Sequence, residues 1–126
     1  MTGRKVVISV IGSHSADKEA DKTAEKIGEI IAQAGAVLAC GGLDGAMKAA
    51  ARGAKKAGGL TVGILPGKDK RDANPFIDIA LPTSIGYARN AIVACAADII
   101  VALPGSHGTR SEISYGIVFK DRKSVV

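Results

Sequence analysis

Short apolar runs alternate with helical patterns along the whole chain. The clearest runs cover residues 6–11, 36–39, 60–65 and 99–103, and a shorter candidate covers 77–81. Continuous apolar runs separated by helices are typical of buried parallel strands joined by crossover connections. The pattern therefore predicts an α/β fold with a parallel central sheet.

Helices are predicted between these strands and after the last one. The first follows the turn at residues 12–15 and ends at Gly35, the second covers 46–57, the third 87–97 and the last about 109–120. In the first helix the apolar positions that share a face are Ile27, Ile30, Ile31 and Ala34. In the third helix they are Ala88, Ala91, Ile92 and Cys95. Another strand begins at Val125, so we expect a Rossmann-like three-layer sandwich with helices on both faces of the sheet.

The length and composition favour one domain over residues 1–126. Of the 126 residues, 47% are hydrophobic but only four are aromatic, so small aliphatic side chains must fill the core. No apolar run approaches the roughly 20 residues that cross a bilayer, and we expect no membrane partner. Cys40 and Cys95 lie far apart without a CxxC pair, which indicates reduced thiols, no metal site and a cytoplasmic location.

The chain carries a formal net charge of +5. Basic residues concentrate in two clusters, Lys68, Lys70, Arg71 and Lys120, Arg122, Lys123. Such clusters bind phosphates of nucleic acids in some proteins, but aromatic side chains that would stack on bases are nearly absent here. The charge therefore favours attraction of small anions over nucleic-acid binding.

Three strand ends run into glycine-containing turns that open helices, after Ile11, Cys40 and Leu103. In an open parallel sheet, ligands bind outside the carboxyl ends of the strands. The first two turns offer Gly12, Ser13, Gly41 and Gly42 as candidate ligand-binding residues.

The third turn, Pro104 to Thr109, is the most informative. Gly105 and Gly108 permit a tight backbone, and the next helix begins with amide groups that can face an anion. Its side-chain donors are Ser106, His107 and Thr109. A purely structural interpretation fits the local pattern equally well, because Thr109 and Glu112 form a capping box.

Two common nucleotide-binding motifs are missing from the sequence. No GxGxxG follows the first strand and no GxxxxGK[ST] occurs, which disfavours a dehydrogenase or a P-loop phosphotransferase. Arg89 begins the third helix, from which its guanidinium can reach the ligand edge and bind phosphate, although a surface ion pair is the common role of such an arginine.

Two segments together resemble a known family. Tyr87-Ala88-Arg89-Asn90, followed fifteen residues after Arg89 by Pro104-Gly105-Ser106-His107-Gly108-Thr109-Arg110-Ser111-Glu112, resembles the Arg…PGGxGTxxE pattern of the Lonely Guy (LOG) superfamily. This superfamily contains nucleoside monophosphate phosphoribohydrolases, proteins often mislabelled as lysine decarboxylases, and molybdenum-cofactor carrier proteins. The middle segment, residues 40–66, is most similar to the carrier branch.

The resemblance implies two functions. In the carrier branch, the phosphate of a molybdopterin-type cofactor rests on Gly105 to Thr109, with Asn90 among the ligand-binding residues and no reaction required. In the hydrolase branch, Arg89 orients a nucleoside 5′-monophosphate and Glu112 stabilises the ribose cation while the N-glycosidic bond breaks. No cofactor is required in either case, although molybdenum cofactor or a nucleotide can be bound.

The sequence departs from the family pattern at two places. Ser106 replaces the second glycine of PGG, and family members continue with a further strand and helix, so we expect a shortened C-terminal part. LOG enzymes are dimers and the carriers form larger assemblies, which implies a homo-oligomer by analogy.

Overall fold

The computed structural model describes residues 3–12, 18–103 and 124–125, the last two in their backbone only. The strands are β1 (Val7–Ile11), β2 (Val37–Cys40), β3 (Thr61–Leu65), β4 (Ile79–Pro82), β5 (Ile99–Ala102) and β6 (Ser124–Val125). The helices are α1 (Lys18–Gln33), α2 (Ala46–Lys56) and α3 (Asn90–Ala96). Two 3-10 turns cover Lys70–Asp72 and Gly86–Arg89.

All neighbouring strands are parallel, in the order β4-β3-β2-β1-β5-β6. The predicted α/β Rossmann-like fold is thereby confirmed. The chain moves outward from β1 through β2 and β3 to β4, and then returns to place β5 on the other side of β1. The order reverses between β1 and β5, and ligands bind at such a reversal in open α/β sheets.

Helices α1 and α2 cover one face of the sheet and pack against each other through small residues. A Cβ atom at Gly28 would lie 1.9 Å from the carbonyl oxygen of Ala50, and one at Gly53 would lie 1.9 Å from that of Glu25. The two helix backbones therefore approach more closely than any larger residue would allow. The Glu25 carboxylate also joins the helices by accepting hydrogen bonds, both at 2.7 Å, from Arg52 and Lys56.

Helix α3 lies on the opposite face, and its core stripe differs from the predicted one. It buries Asn90, Val93 and Ala94, whereas Ile92 is exposed. Apolar residues occur all around α3, so helical periodicity alone did not indicate which side packs on the sheet. The prediction for α1 was also partly wrong, because Ile31 is buried but Ile30 is exposed.

A polar contact fixes the edge strand β4 to β3. The Asp78 carboxylate accepts hydrogen bonds from Lys55 Nζ and from the Thr61 amide, both at 2.9 Å. Burial raises the pKa of Asp78, but the hydrogen bonds from Lys55 and Thr61 outweigh it, so the pKa lies below its usual value. The start of β3 is therefore tied to the residue that precedes β4.

Two further expectations concern the membrane and the cysteines. None of the helices in the described part of the chain is both long and apolar enough to cross a bilayer. Cys40 is buried and Cys95 is half-buried, and the two are not joined in a disulfide.

Candidate functional site

The ends of β1, β2 and β5 meet around the beginning of α2. A Cβ atom at Gly12, the residue after β1, would lie 3.0 Å from the Ala46 Cβ and 3.4 Å from the Leu103 Cβ. Ala46 is the first residue of α2 and Leu103 follows β5. The structure therefore brings the ends of β1 and β5 and the beginning of α2 to one edge of the sheet, next to the reversal in strand order.

The Arg89 guanidinium reaches this edge from the turn that precedes α3. Arg89 is only 4% exposed. A Cβ atom at Gly41 would lie 2.6 Å from Arg89 Nη2 and 2.9 Å from Arg89 Cζ. Arg89 Nη1 donates a hydrogen bond to Oδ1 of the buried Asn90. The guanidinium thus packs directly on the backbone at the end of β2, and only glycine at position 41 leaves room for it.

The first turn of α2 lies beside this guanidinium. The Sδ atom of Met47 is 2.7 Å from the position that a Gly41 Cβ would take, on the same side as Arg89. The N-cap residue Gly45 has φ 77° and supplies no side-chain hydrogen bond, so the first amides of α2 have no side-chain cap. Lys48 is half-buried in this first turn, where a helix dipole normally favours negative charge. The edge combines a buried guanidinium with the amides at the start of α2, which together suit an anion.

Asn74 holds the turn after β2 in place. It is 6% exposed, and its Nδ2 donates to the carbonyl oxygens of Leu43 at 2.9 Å and Gly42 at 3.3 Å. Its Oδ1 accepts from the Phe76 amide at 3.0 Å. Gly42 itself has φ +79°, a left-handed conformation that glycine adopts readily.

Residues 66–75 are polar and lack helical or strand periodicity, but Asn74 anchors this segment to the Gly42 turn. A 3-10 turn, capped by Asp69, lies within the segment. The sequence carried no signal for the roles of Asn74, Met47 and Lys48, because each depends on a neighbour distant along the chain or on where a helix begins.

Five of the candidate ligand residues lie at this edge in the structure: Gly12, Gly41, Gly42, Arg89 and Asn90. The remaining candidates lie outside the described residues: Ser13, Gly105, Ser106, His107, Gly108, Thr109 and Glu112. Within residues 3–12 and 18–103, no group of three His, Cys, Asp or Glu side chains is placed to hold a metal ion.

The family model described as the SLOG cluster4 family matches residues 5–126, nearly the whole chain. The chain belongs to the SLOG cluster4 family. This match confirms the membership in the LOG and molybdenum-cofactor-carrier superfamily that the two sequence segments indicated.

Proteins similar to this SLOG cluster4 chain include two of known structure. A molybdenum cofactor binding protein from Rippkaea orientalis is 39% identical, with a TM-score of 0.90 over 98% of this chain and 76% of the other. The molybdenum cofactor carrier protein of Chlamydomonas reinhardtii is 32% identical, with a TM-score of 0.84 over 97% of this chain and 76% of the other. An uncharacterized protein of Archaeoglobus fulgidus is 46% identical over 94% of this chain and 76% of its own length.

Proposed function

We propose that this protein binds a phosphate-bearing small molecule, a molybdopterin-type cofactor or a nucleotide, at the carboxyl edge of β1, β2 and β5. The observation that carries the proposal is the buried Arg89 guanidinium packed on Gly41 beside the first turn of α2. Sequence motifs alone left the role of this arginine open between a surface ion pair and a ligand contact. Its burial at the ligand edge favours the ligand contact.

Two kinds of group at the edge match the chemistry of a phosphate. A guanidinium offers donors in a fork that fits two phosphate oxygens, and free amides at a helix N-terminus bind anions without a further charge. Lys48 adds a second positive charge in the first turn of α2. The glycine at position 41 leaves room for the guanidinium to pack against the backbone at this edge.

The carrier function is the better supported of the two that the family implies. The relatives from Rippkaea orientalis and Chlamydomonas reinhardtii are a molybdenum cofactor binding protein and a molybdenum cofactor carrier protein, and both align over nearly all of this chain. The molybdenum cofactor ends in a phosphate, which fits the donors around Arg89. Here the cofactor is cargo, and this chain's residues bind and orient it without a chemical step.

The sharpest test compares ligand binding by the wild-type protein and two arginine variants. Arg89→Ala is expected to weaken binding of molybdenum cofactor released from a holoenzyme by about 5- to 150-fold, the equivalent of about 1 to 3 kcal/mol for charge-assisted hydrogen bonds. Arg71→Ala is the matched control, because Arg71 is exposed and paired with Asp69 at 2.8 Å. Unchanged affinity in Arg89→Ala would remove this residue from the site.

A direct assay distinguishes the hydrolase function from the carrier function. The motif arginine and glutamate are retained at positions 89 and 112, so nucleoside 5′-monophosphate cleavage is the second candidate. Incubation with AMP and related monophosphates, followed by detection of free base, decides between them. Release of base that Glu112→Ala abolishes would establish a phosphoribohydrolase, whereas no release across the panel would leave the carrier function.

We also propose that the protein is a cytoplasmic homo-oligomer and that nucleic acid is not its partner. The reduced thiols are compatible with a reducing compartment. In the basic cluster at residues 68–71, Arg71 is engaged by Asp69, which reduces the charge that the cluster presents to a polyanion.

A further inference from the structure

Helix α1 carries an acidic side chain, Asp21, whose burial the packing of the helix does not explain. Its Oδ1 atom is buried and has no hydrogen-bond partner among residues 3–12 and 18–103. About one turn further along α1, the Glu25 carboxylate accepts hydrogen bonds at 2.7 Å from Arg52 and Lys56. A buried carboxylate oxygen without a partner is costly, so the fold gains nothing from placing one at Asp21.

The helix dipole does not account for this burial. The amides at the start of a helix stabilise acidic residues, and the first turn of α1 has two, Glu19 and Asp21. Glu19 is exposed, so it interacts with the dipole from the surface of the protein. Asp21 could do the same from an exposed position, and its buried oxygen therefore indicates another use.

Asp21 lies on the side of α1 that packs inward. The buried residues of this helix are Ala24, Gly28 and Ile31. Asp21 precedes Ala24 by three positions, and residues three or four apart share a face of a helix. Asp21 therefore continues the buried stripe of α1 towards the start of the helix.

This stripe brings Asp21 towards the ligand edge. Strands β1 and β2 are parallel, so the helix between them starts near the carboxyl end of β1 and runs back towards the amino ends. Ala24 belongs to the core cluster that contains Ala46 and Leu103, the two residues that adjoin Gly12 at the edge. Asp21 lies about one turn nearer to the start of α1 than Ala24, and therefore nearer to the ligand edge.

The ligand edge thus has two ends of opposite charge. The buried Arg89 guanidinium packs on Gly41 after β2, and Asp21 lies towards the end of β1, the neighbouring strand. Neighbouring strands are about 4.8 Å apart, so a molecule of nucleotide size can span both ends. A carboxylate near an anion site repels a bare phosphate, but it attracts a ligand that also carries hydrogen-bond donors away from its phosphate.

We propose that Asp21 accepts hydrogen bonds from the heterocycle of the ligand whose phosphate Arg89 binds, an inference that rests on the proposed function. An ionised carboxylate accepts on both oxygens and fits two parallel N–H donors, as it does in its pairing with a guanidinium. The pterin of a molybdopterin and the base guanine both present such an edge, an amino group beside a ring N–H. Adenine presents an amino group beside a ring nitrogen that is itself an acceptor. Asp21 therefore selects a pterin or a guanine over an adenine.

The test compares affinities for molybdenum cofactor released from a holoenzyme, guanosine 5′-monophosphate (GMP), AMP and inorganic phosphate. The wild-type protein is expected to bind molybdenum cofactor, GMP or both more tightly than AMP. Asp21→Ala should lower the affinity for the preferred ligand by about 10- to 150-fold, the usual effect of losing hydrogen bonds to a charged group, without lowering the affinity for inorganic phosphate. A loss for molybdenum cofactor alone identifies a pterin, and a loss for GMP alone identifies a guanine nucleotide. Glu19→Ala is the matched control, because it removes an exposed carboxylate from the same turn and should leave all these affinities unchanged.

Thermal unfolding without ligand separates a ligand contact from a structural role. If Asp21 serves the ligand, its removal relieves the fold of an unpartnered buried oxygen, so the unfolding midpoint of Asp21→Ala should equal or exceed that of Glu19→Ala. A lower midpoint overturns the proposal, because it would show that the fold itself uses the carboxylate.

The affinities give three further results that overturn the proposal. One is unchanged affinity of Asp21→Ala for both molybdenum cofactor and GMP, and another is an equal loss of affinity for inorganic phosphate. If affinity is lost in Arg89→Ala but not in Asp21→Ala, the proposed phosphate site stands without the Asp21 contact. A wild-type protein that binds none of the probes overturns the proposed function and this inference together.

Discussion

Gly41→Ala is expected to displace the Arg89 guanidinium and to leave the fold nearly intact. The new Cβ would lie 2.6 Å from Arg89 Nη2 and 2.7 Å from the Met47 Sδ. Both atoms are at the ends of flexible side chains, so they can withdraw without a shift of the backbone. The strain from such limited overpacking is about 1 kcal/mol, the lower end of the usual range.

The effect on ligand binding is larger because the guanidinium must move. Ordinary van der Waals contacts begin near 3.4 Å, so Nη2 has to withdraw by about 1 Å, a displacement that breaks well-aligned hydrogen bonds. A hydrogen bond to a charged group contributes about 1.5 to 3 kcal/mol, which corresponds to an affinity about 10- to 150-fold lower.

The assay is a double-mutant cycle with Arg89→Ala, read by titration of molybdenum cofactor and by urea denaturation. Once Arg89 is absent, the alanine at position 41 has no guanidinium to displace, so the two losses of affinity should not add. Gly35→Ala serves as the control. Gly35 has φ +77° with no atom within 4 Å of the added Cβ, so this change strains the backbone far from the ligand edge and should lower stability without lowering affinity.

Two results would refute this reasoning. Wild-type affinity in Gly41→Ala would show that the position of the guanidinium does not govern binding. Fully additive losses in the double variant would show that Gly41 acts on the ligand by another route than Arg89.

Three other substitutions test the framework around the site. Gly53→Ala should lower the free energy of unfolding by about 1 to 3 kcal/mol despite the better helix propensity of alanine, because its Cβ meets the Glu25 carbonyl oxygen; urea denaturation checks this, and an equally stable variant contradicts it. Asn74→Asp replaces two amide donors with a carboxylate that faces carbonyl oxygens, so it should destabilise the protein by about 1 to 3 kcal/mol at neutral pH, with partial recovery in acid, measured by thermal unfolding. The pKa of Asp78 is lowered in the folded protein, so its hydrogen bond with Lys55 stabilises the fold above about pH 4. This stabilisation is lost as the pH falls through the folded-state pKa of Asp78. The difference in stability between the wild-type protein and Asp78→Asn should therefore shrink in acid, and a difference that is constant with pH would contradict this.

The sequence allowed the strands to be predicted to within a residue or two. The predicted run at 60–65 is the strand Thr61–Leu65, and the run at 99–103 is Ile99–Ala102. Strands of a parallel sheet are buried on both faces, so each one stands out as an uninterrupted apolar run. Helix faces were harder to predict, because Ile30 and Ile92 fit the helical period but are exposed in the structure.

The candidate site could be predicted in part, since glycines that follow apolar strands mark the ligand edge of such folds. Gly12, Gly41 and Arg89 were identified from strand ends and from the family resemblance, and they do lie at one edge. Asn74 could not be found in this way. It is one polar residue in a polar segment, and its role exists only because the chain returns to the carbonyl groups of Gly42 and Leu43.

The sequence by itself determined the α/β class, the parallel sheet and the family, because these depend on local periodicity and on short motifs with fixed spacing. Tertiary structure decided which side chains share a location. The contact of Arg89 with Gly41 joins residues that are distant along the chain, and the exposure of Ile30 and Ile92 depends on which side of each helix packs on the sheet. Periodicity reports which way a residue faces along its own element, but burial and contact depend on what the other elements place against it.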